Sequence, residues 1–241
     1  MLGLVAVPTT KGETRHVSNS VDLPETVNWV TAGMVNPIQD QGQCGSCWAF
    51  SAAASLESAH AISSGTLYKL SEQQLVDCSS AYGNNGCSGG WYMWAWNYAK
   101  KTALDSEASY PYTSGTTYVA GTCNVDVSAE ELKDKSYSKV DEDTTAIKTA
   151  IAQQPCSVAI NATSRAFSNY SSGVLSVSAC GGTNMDHAVA AVGYGVENGE
   201  GYYLVRNSWG TSWGDAGYVK IAQADGKGAC GINQMVYYPT A

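Results

Sequence analysis

Histidine is scarce: the 241-residue chain has three, His16, His60 and His187. With so few, and none at metal-ligand spacing, no metal centre is legible, and neither a metal nor a cofactor is expected. Charge is sparse too, at 14% of residues, and the 13 Lys and Arg form no cluster, which argues against nucleic acid as a partner. No apolar run approaches the ~20 residues that span a bilayer, so no membrane association is expected. The opening Met1-Leu2-Gly3-Leu4-Val5-Ala6-Val7 is apolar but short and lacks a basic lead-in, so it does not read as an intact signal peptide. No internal repeat is present.

What is there suits a compact globule. Hydrophobic residues make up 44% of a chain long enough for one large domain or two lobes, with a formal net charge of −8. Eight cysteines point to an oxidising compartment and to disulfides. Two sequons, Asn161-Ala162-Thr163 and Asn169-Tyr170-Ser171, fit a secretory route and make Asn161 and Asn169 candidate glycosylation sites.

Residues 1–22 read as an extended tail, and ordered structure is expected from Leu23-Pro24. Gly42, Gln43 and Gly45 then lead into an apolar run, which predicts a buried helix from about Ser46 to Ile62 stopped at Ser63-Ser64-Gly65. Ser71-Glu72-Gln73-Gln74 is a capping box for a short helix to about Cys78. A Gly/Asn-rich loop over 81–90 carries Cys87, and Trp91 to Lys100 reads as a third, aromatic helix. After about Val140 the character changes. One helix is predicted over Thr144–Gln153, capped by Asp143. Strands follow at Cys156–Ile160, His187–Val192, Tyr202–Asn207 and Gly217–Ile221, separated by Gly193, Gly195, Gly199 and Gly214. A helical half followed by a strand half is an α+β arrangement with a cleft between two lobes.

The chemistry centres on Cys47, in the first turn of the long helix. A helix N-terminus carries roughly +0.5 of a charge and unpaired N–H groups, and both favour thiolate over thiol. A thiolate is the nucleophile for acyl transfer, and it needs a base and a group to orient that base. His16 lies in the tail, and His60 lies three turns down the helix on an Ala-rich surface, where a structural role is expected. His187 opens a strand and is the one good base. Asn207 ends a later strand, and its amide oxygen is suited to accept the imidazole N–H and fix the tautomer, with Trp209 shielding that bond. Gln41, six residues before Cys47, is placed to fold its amide toward the sulfur. With the Cys47 N–H it would make an oxyanion hole, where one donor is worth about 2.7–4 kcal/mol.

These motifs together resemble the papain family of cysteine peptidases, of the cathepsin L type. They are Gln41…Cys47-Trp48-Ala49-Phe50-Ser51, Cys87-Ser88-Gly89-Gly90, Asp186-His187-Ala188-Val189 and Asn207-Ser208-Trp209-Gly210, and the likeness extends from Leu23 to Pro239. His187 follows Cys47 by 140 residues, within the ~130–150 typical of that family. The resemblance implies a two-lobed fold, a helical lobe over about 32–139 and a β-barrel-like lobe over about 140–236, facing each other across the cleft. It implies Cys47 as nucleophile, His187 as base and then acid, Asn207 as orienter and Gln41 as oxyanion donor. Cys47 and His187 would rest as a thiolate–imidazolium pair, the thiol lowered to about 3–4.

Leaving Cys47 aside, six of the other seven cysteines can pair in 15 ways that sequence alone does not choose between. The resemblance implies Cys44–Cys87, Cys78–Cys123 and Cys180–Cys230, with Cys156 a buried free thiol. It also implies that the Gly90 backbone, beside Gly89, pairs with the substrate residue second from the scissile bond. The pocket for that residue would be lined by Trp91, Tyr92, Met93, Ala159, Met185, Ala188 and Met235, with Asp186 and Trp209 as further substrate contacts. None of the pocket residues is charged, so a bulky apolar residue is favoured there. The family usually has proline where Tyr92 stands.

No His-bearing insertion follows Cys123, so endopeptidase activity at acidic pH under reducing conditions is expected. Residues 1–22 resemble the last part of an inhibitory propeptide, with processing just before Leu23 and 23–241 as the catalytic domain. The partners implied are protein and peptide substrates, the propeptide itself and cystatin-type inhibitors. A monomer that is lysosomal, vacuolar or secreted is expected. Two rival classes remain. Cys44-Gly45-Ser46-Cys47 is a C-x-x-C pattern, but no βαβ unit surrounds it as a thiol–disulfide oxidoreductase would require. A non-enzymatic relative on the same fold would be marked by loss of Cys47, His187 or Asn207, and all three are present.

Overall fold

The computed structural model describes residues 2–6, 14–16, 22–125 and 130–241. The expected tail over 1–22 thus lies in part outside the described residues. Two short strands, β1 (Thr14–Arg15) and β2 (Val27–Asn28), precede the central helix α1 (Cys47–Ser64). Gly65 takes a left-handed conformation (φ 79°) and donates its N–H to Ala61 O, so the predicted stop ends the helix two residues beyond Ile62. Small residues let neighbours approach α1 closely. Its serines tie it to the sheet: Ser51 Oγ donates to Val189 O (2.8 Å), Ser157 Oγ donates to Ser51 O (2.9 Å), and Ser55 Oγ lies 2.8 Å from Ser157 Oγ. This stitching sets the head of α1 against the start of the strand that carries His187.

The remaining helical half holds α2 (Glu72–Cys78), where Ser71 Oγ caps Gln74 N–H at 2.9 Å, and α3 (Tyr92–Ala99). It also holds β3 (Leu104–Asp105), the single turn α4 (Ser114–Thr117) and β4 (Glu130–Leu132), which pairs with β3. Then follow β5 (Ser136–Lys139), α5 (Thr144–Gln153, capped by Asp143), β6 (Cys156–Ile160), α6 (Arg165–Ser168) and β7 (Val174–Leu175). The chain closes with β8 (His187–Glu197), β9 (Glu200–Arg206), β10 (Tyr218–Ala222) and β11 (Tyr237–Thr240). The main sheet runs β1-β5-β11-β6-β8-β9-β10-β7, with β2 added on β8. Its ends, β1 and β7, do not meet, so the β half is an open sheet and not a closed barrel.

Two glycines expected to break strands lie inside β8. A Cβ on Gly193 would stand 2.2 Å from Val27 O, and one on Gly195 2.8 Å from the Tyr202 hydroxyl. Gly193 is therefore glycine to let β2 approach, beside a register shift between Ala191 and Gly193. The actual turn is Asn198-Gly199, both at positive φ (53° and 83°), the two-residue hairpin geometry that joins β8 to β9. The sheet also recruits β1, β2, β5 and β11 from outside the expected 140–236 span.

Three disulfides, Cys44–Cys87, Cys78–Cys123 and Cys180–Cys230, close loops of 43, 45 and 50 residues. Loops of that length are worth roughly 4 kcal/mol each in the chain-entropy account. Cys156 is free and buried. His16 is not loose: it is buried, its N–H donates to Lys139 O (2.8 Å) and its Nδ1 lies 2.9 Å from the Tyr238 hydroxyl.

Candidate active site

Cys47 is the first residue of α1, wholly buried, and its Sγ accepts the Ala188 N–H at 3.4 Å. That contact places the sulfur beside the first residues of β8, where His187 is also wholly buried. His187 Nε2 lies 2.7 Å from Asn207 Oδ1, just past the end of β9. An amide oxygen only accepts, so Nε2 carries the hydrogen and Nδ1 is the lone-pair nitrogen. Among the described residues Nδ1 has no hydrogen-bond partner. The Trp209 ring covers the pair, 4.9 Å from the imidazole and tilted by 34°, and Phe167 backs it edge-on at 5.5 Å. His60, half-buried, stacks on Tyr68 at 5.0 Å. Thirteen residues along the helix put it ~20 Å from Cys47.

Gln41 is buried and held at both ends of its amide. Nε2 donates to Cys44 O (2.8 Å), and Oε1 accepts from Ser208 Oγ (2.7 Å). Ser208 also donates its N–H to Asn207 Oδ1 at 2.9 Å. One serine thus couples Gln41 to Asn207, a positioning role that the sequence reading missed; its only signal was adjacency to Asn207. Tyr112 is a second omission. Its hydroxyl donates to Gln41 O (2.9 Å) and lies 2.7 Å from Ser46 Oγ, which braces the loop ahead of Cys47.

The apolar residues expected to line a pocket gather between the halves. Ala159 on β6 is paired with Ala188 on β8, and Tyr92 donates its hydroxyl to Met235 O at 2.5 Å. Trp91, Tyr92, Met93, Ala159, Ala188 and Met235 are buried in one cluster, with Met185 packed against it. Trp96 is buried and Trp94 packs against the same cluster, so both are core residues. Trp209 lies over His187, away from this group. Gly90 has to be glycine, because a Cβ there would stand 2.2 Å from Asn84 Oδ1 and 2.8 Å from the Trp48 ring.

Residues 2–6 lie across this surface. Gly3 and Leu4 donate their N–H groups to Asp186 O (3.1 and 3.2 Å), and the Gly90 N–H donates to Gly3 O (3.0 Å). Leu4 bridges Gly90 in parallel, and Trp91 Nε1 donates to Val5 O and Ala6 O. Leu4 and Val5 pack against the pocket cluster. The consequence is electrostatic. Burial pushes the Cys47 thiol up to about 11, although N–H groups of Ala188, Gly3 and Trp48 pull the other way. Burial likewise lowers His187 to about 4, opposed by its bond to Asn207. Burial therefore works against the expected resting thiolate–imidazolium pair, because a dry site disfavours each charge.

The family model for papain family cysteine proteases matches residues 23–240. The chain is 46% identical over 224 residues to a cathepsin L-like peptidase of Aedes aegypti, covering 91% of this chain and 65% of that protein. It is also 46% identical over 232 residues to germination-specific cysteine protease 1 of Arabidopsis thaliana, covering 92% of this chain and 58% of that one. Among solved structures, digestive procathepsin L 3 of the Tenebrio molitor larval midgut superposes with a TM-score of 0.87 at 36% identity, over 95% of this chain and 74% of that chain. The chain belongs to the papain family of cysteine proteases. It spans about 60% of the length of the first two relatives. Among the described residues no helix is long and apolar enough to cross a membrane, and no group of three or more His, Cys, Asp or Glu is placed to hold a metal ion.

Proposed function

We propose that the chain is a cysteine endopeptidase of the cathepsin L type, held inactive while its N-terminal residues fill the cleft. The observation that carries this is the His187–Asn207 bond, which leaves Nδ1 as the lone-pair nitrogen, while the Cys47 sulfur accepts the N–H of the next residue, Ala188. Once the cleft is open to water, the proton passes from Sγ to Nδ1. The thiolate attacks a peptide carbonyl, forming the S–C bond. Gln41 and the Cys47 N–H hold the oxyanion, and the C–N bond breaks as His187 gives its proton to the departing amine. His187 then takes a proton from water, and hydroxide releases the acid from the thioester. Replacing Gln41 by Ala is expected to lower kcat about 10²–10³-fold with little change in KM, because its donor acts on the transition state; steady-state kinetics on a dipeptide amide check it.

Residues 1–22 are the residual end of a propeptide in this reading. Those of them at 2–6 use Gly90, Asp186 and the apolar pocket, the same groups assigned to substrate. Residues 23–241 are then the catalytic domain, with helical and β lobes near 32–139 and 140–236. Three disulfides and two sequons support a lysosomal, vacuolar or secreted location. Protein substrates, cystatin-type inhibitors and a monomeric state follow as proposals of the same reading.

The pocket decides the substrate. It holds no carboxylate, so a cation there would be buried without a partner. After residues 1–22 are cleaved from the folded chain, a fluorogenic Phe-Arg amide should be hydrolysed at least about 100-fold faster than Arg-Arg at acidic pH with a reductant, the ratio that ~3 kcal/mol of unpaired burial sets. Equal rates would discard the pocket and leave the nucleophile standing.

A further inference from the structure

The two sequons look equivalent in sequence and are not equivalent in the fold. Asn161 is 7% exposed, at the end of β6. Its N–H donates to Cys230 O (2.7 Å), next to a disulfide, and its Oδ1 accepts from both Thr163 N–H (3.2 Å) and Thr163 Oγ1 (2.8 Å). Its Nδ2 would lie 3.6 Å from a Cβ built on Gly182. That nitrogen has little solvent around it, and a sugar there would meet the loop at Gly182. Asn169 is the opposite case. It is exposed at the C-terminal end of α6, and its carboxamide bonds to none of the described residues. The middle residue, Tyr170, is buried and pinned: its hydroxyl donates to Gly173 O (2.6 Å) and accepts the Lys220 N–H (3.2 Å). Asn169 and Ser171 on either side are exposed. The turn is rigid underneath, since Trp213 Nε1 donates to Ser168 O (3.2 Å) and Phe167 packs on Trp213 at 5.0 Å.

We infer that Asn169, and not Asn161, carries an N-linked glycan in the folded protein. The donor is a polyprenyl-diphosphate-linked oligosaccharide. Asn169 Nδ2 forms a bond to the sugar C1 as the C1–O bond to diphosphate breaks, the lipid diphosphate leaves, and the amide gives up one proton. Modification at Asn161 would have to precede folding and would then block closure of the loop over 180–186 on β6, so the folded population excludes it. The inference rests on the exported location proposed above, but its test does not need activity.

The test is the full chain secreted from a eukaryotic host, with its intact mass taken before and after enzymatic removal of N-glycans and the site mapped by ¹⁸O labelling. One glycan at Asn169 is expected, absent in Ser171→Ala and kept in Thr163→Ala. An unmodified Asn169 in folded, secreted chain, or a glycan mapped to Asn161 there, would overturn the assignment. A glycan lost in Thr163→Ala but kept in Ser171→Ala would do the same. None of these outcomes depends on proteolysis, so failure here and failure of the protease reading are separate results.

Discussion

Replacing Cys47 by Ala, in chain freed of residues 1–22, is expected to lower kcat on a Phe-Arg amide by roughly 10⁴–10⁶, the scale on which loss of a covalent nucleophile removes the whole acyl-transfer route. Among the described residues the only free cysteines are Cys47 and Cys156; Cys156 is buried on β6, and burial pushes its thiol up. Neither Cys156 nor a disulfide-bonded cysteine can replace the sulfur at the head of α1. His187→Ala should cost nearly as much, and the double substitution little more than either alone, since thiol and imidazole act as one unit. The fold should tolerate Cys47→Ala, because it removes one buried sulfur from an alanine-rich helix and leaves the three disulfides intact. A thermal midpoint close to that of the unsubstituted chain would show this. Undiminished hydrolysis by a folded Cys47→Ala protein would sink the mechanism.

The second large effect is the unmasking of the thiol. A thiol held at about 11 is ionised to roughly one part in 10⁵ at pH 6, whereas one lowered to about 3–4 is fully ionised. The less basic thiolate is intrinsically slower by about 10³, given a Brønsted slope of ~0.4–0.5. Cleaving residues 1–22 from the folded chain should therefore raise the rate of Cys47 alkylation on the order of 10²-fold at pH 6, before any gain from better access. The pH profiles give the sharper check. In the uncut chain the thiol pKa is raised, so alkylation climbs tenfold per pH unit from pH 6 to 9. In the cut chain the pair is charged below neutrality, and the rate is level from about pH 5 to 8. Iodoacetamide and mass spectrometry follow both, with Cys156 as the unreactive control. Superimposable profiles before and after cleavage would remove both the masking segment and the ion pair from the account.

Much of the local structure was legible because its causes are local. Ser71 and Asp143 cap the helices they were expected to cap, and Gly65 ends α1, because a cap is a bond across three or four residues. Cys47, His187, Asn207 and Gln41 stood out because acyl transfer needs few residue types and the chain offers only three histidines. What was missed is long-range. Gly193 and Gly195 looked like breaks, yet close approaches by β2 and Tyr202 are what require glycine there. β5 and β11 carry weak patterns of their own and exist as strands because they pair with each other over about 100 residues of chain. Ser208 is unremarkable in sequence and gains its role by meeting Gln41, 167 residues away.

By itself, then, the sequence determined the residue types available for chemistry, the helix that presents Cys47, and the two-part α+β plan, since these depend on periodicity, capping and composition. Only the tertiary structure decided which sequon lies in solvent, that Ser208 links the Gln41 and Asn207 amides, and that residues 2–6 cover the thiol. It also decided how deeply the thiol and the imidazole are buried. A helix N-terminus and a nearby imidazole favour a thiolate in any sequence of this kind, but burial opposes the charge on both partners, and burial is a property of what the folded chain lays over them.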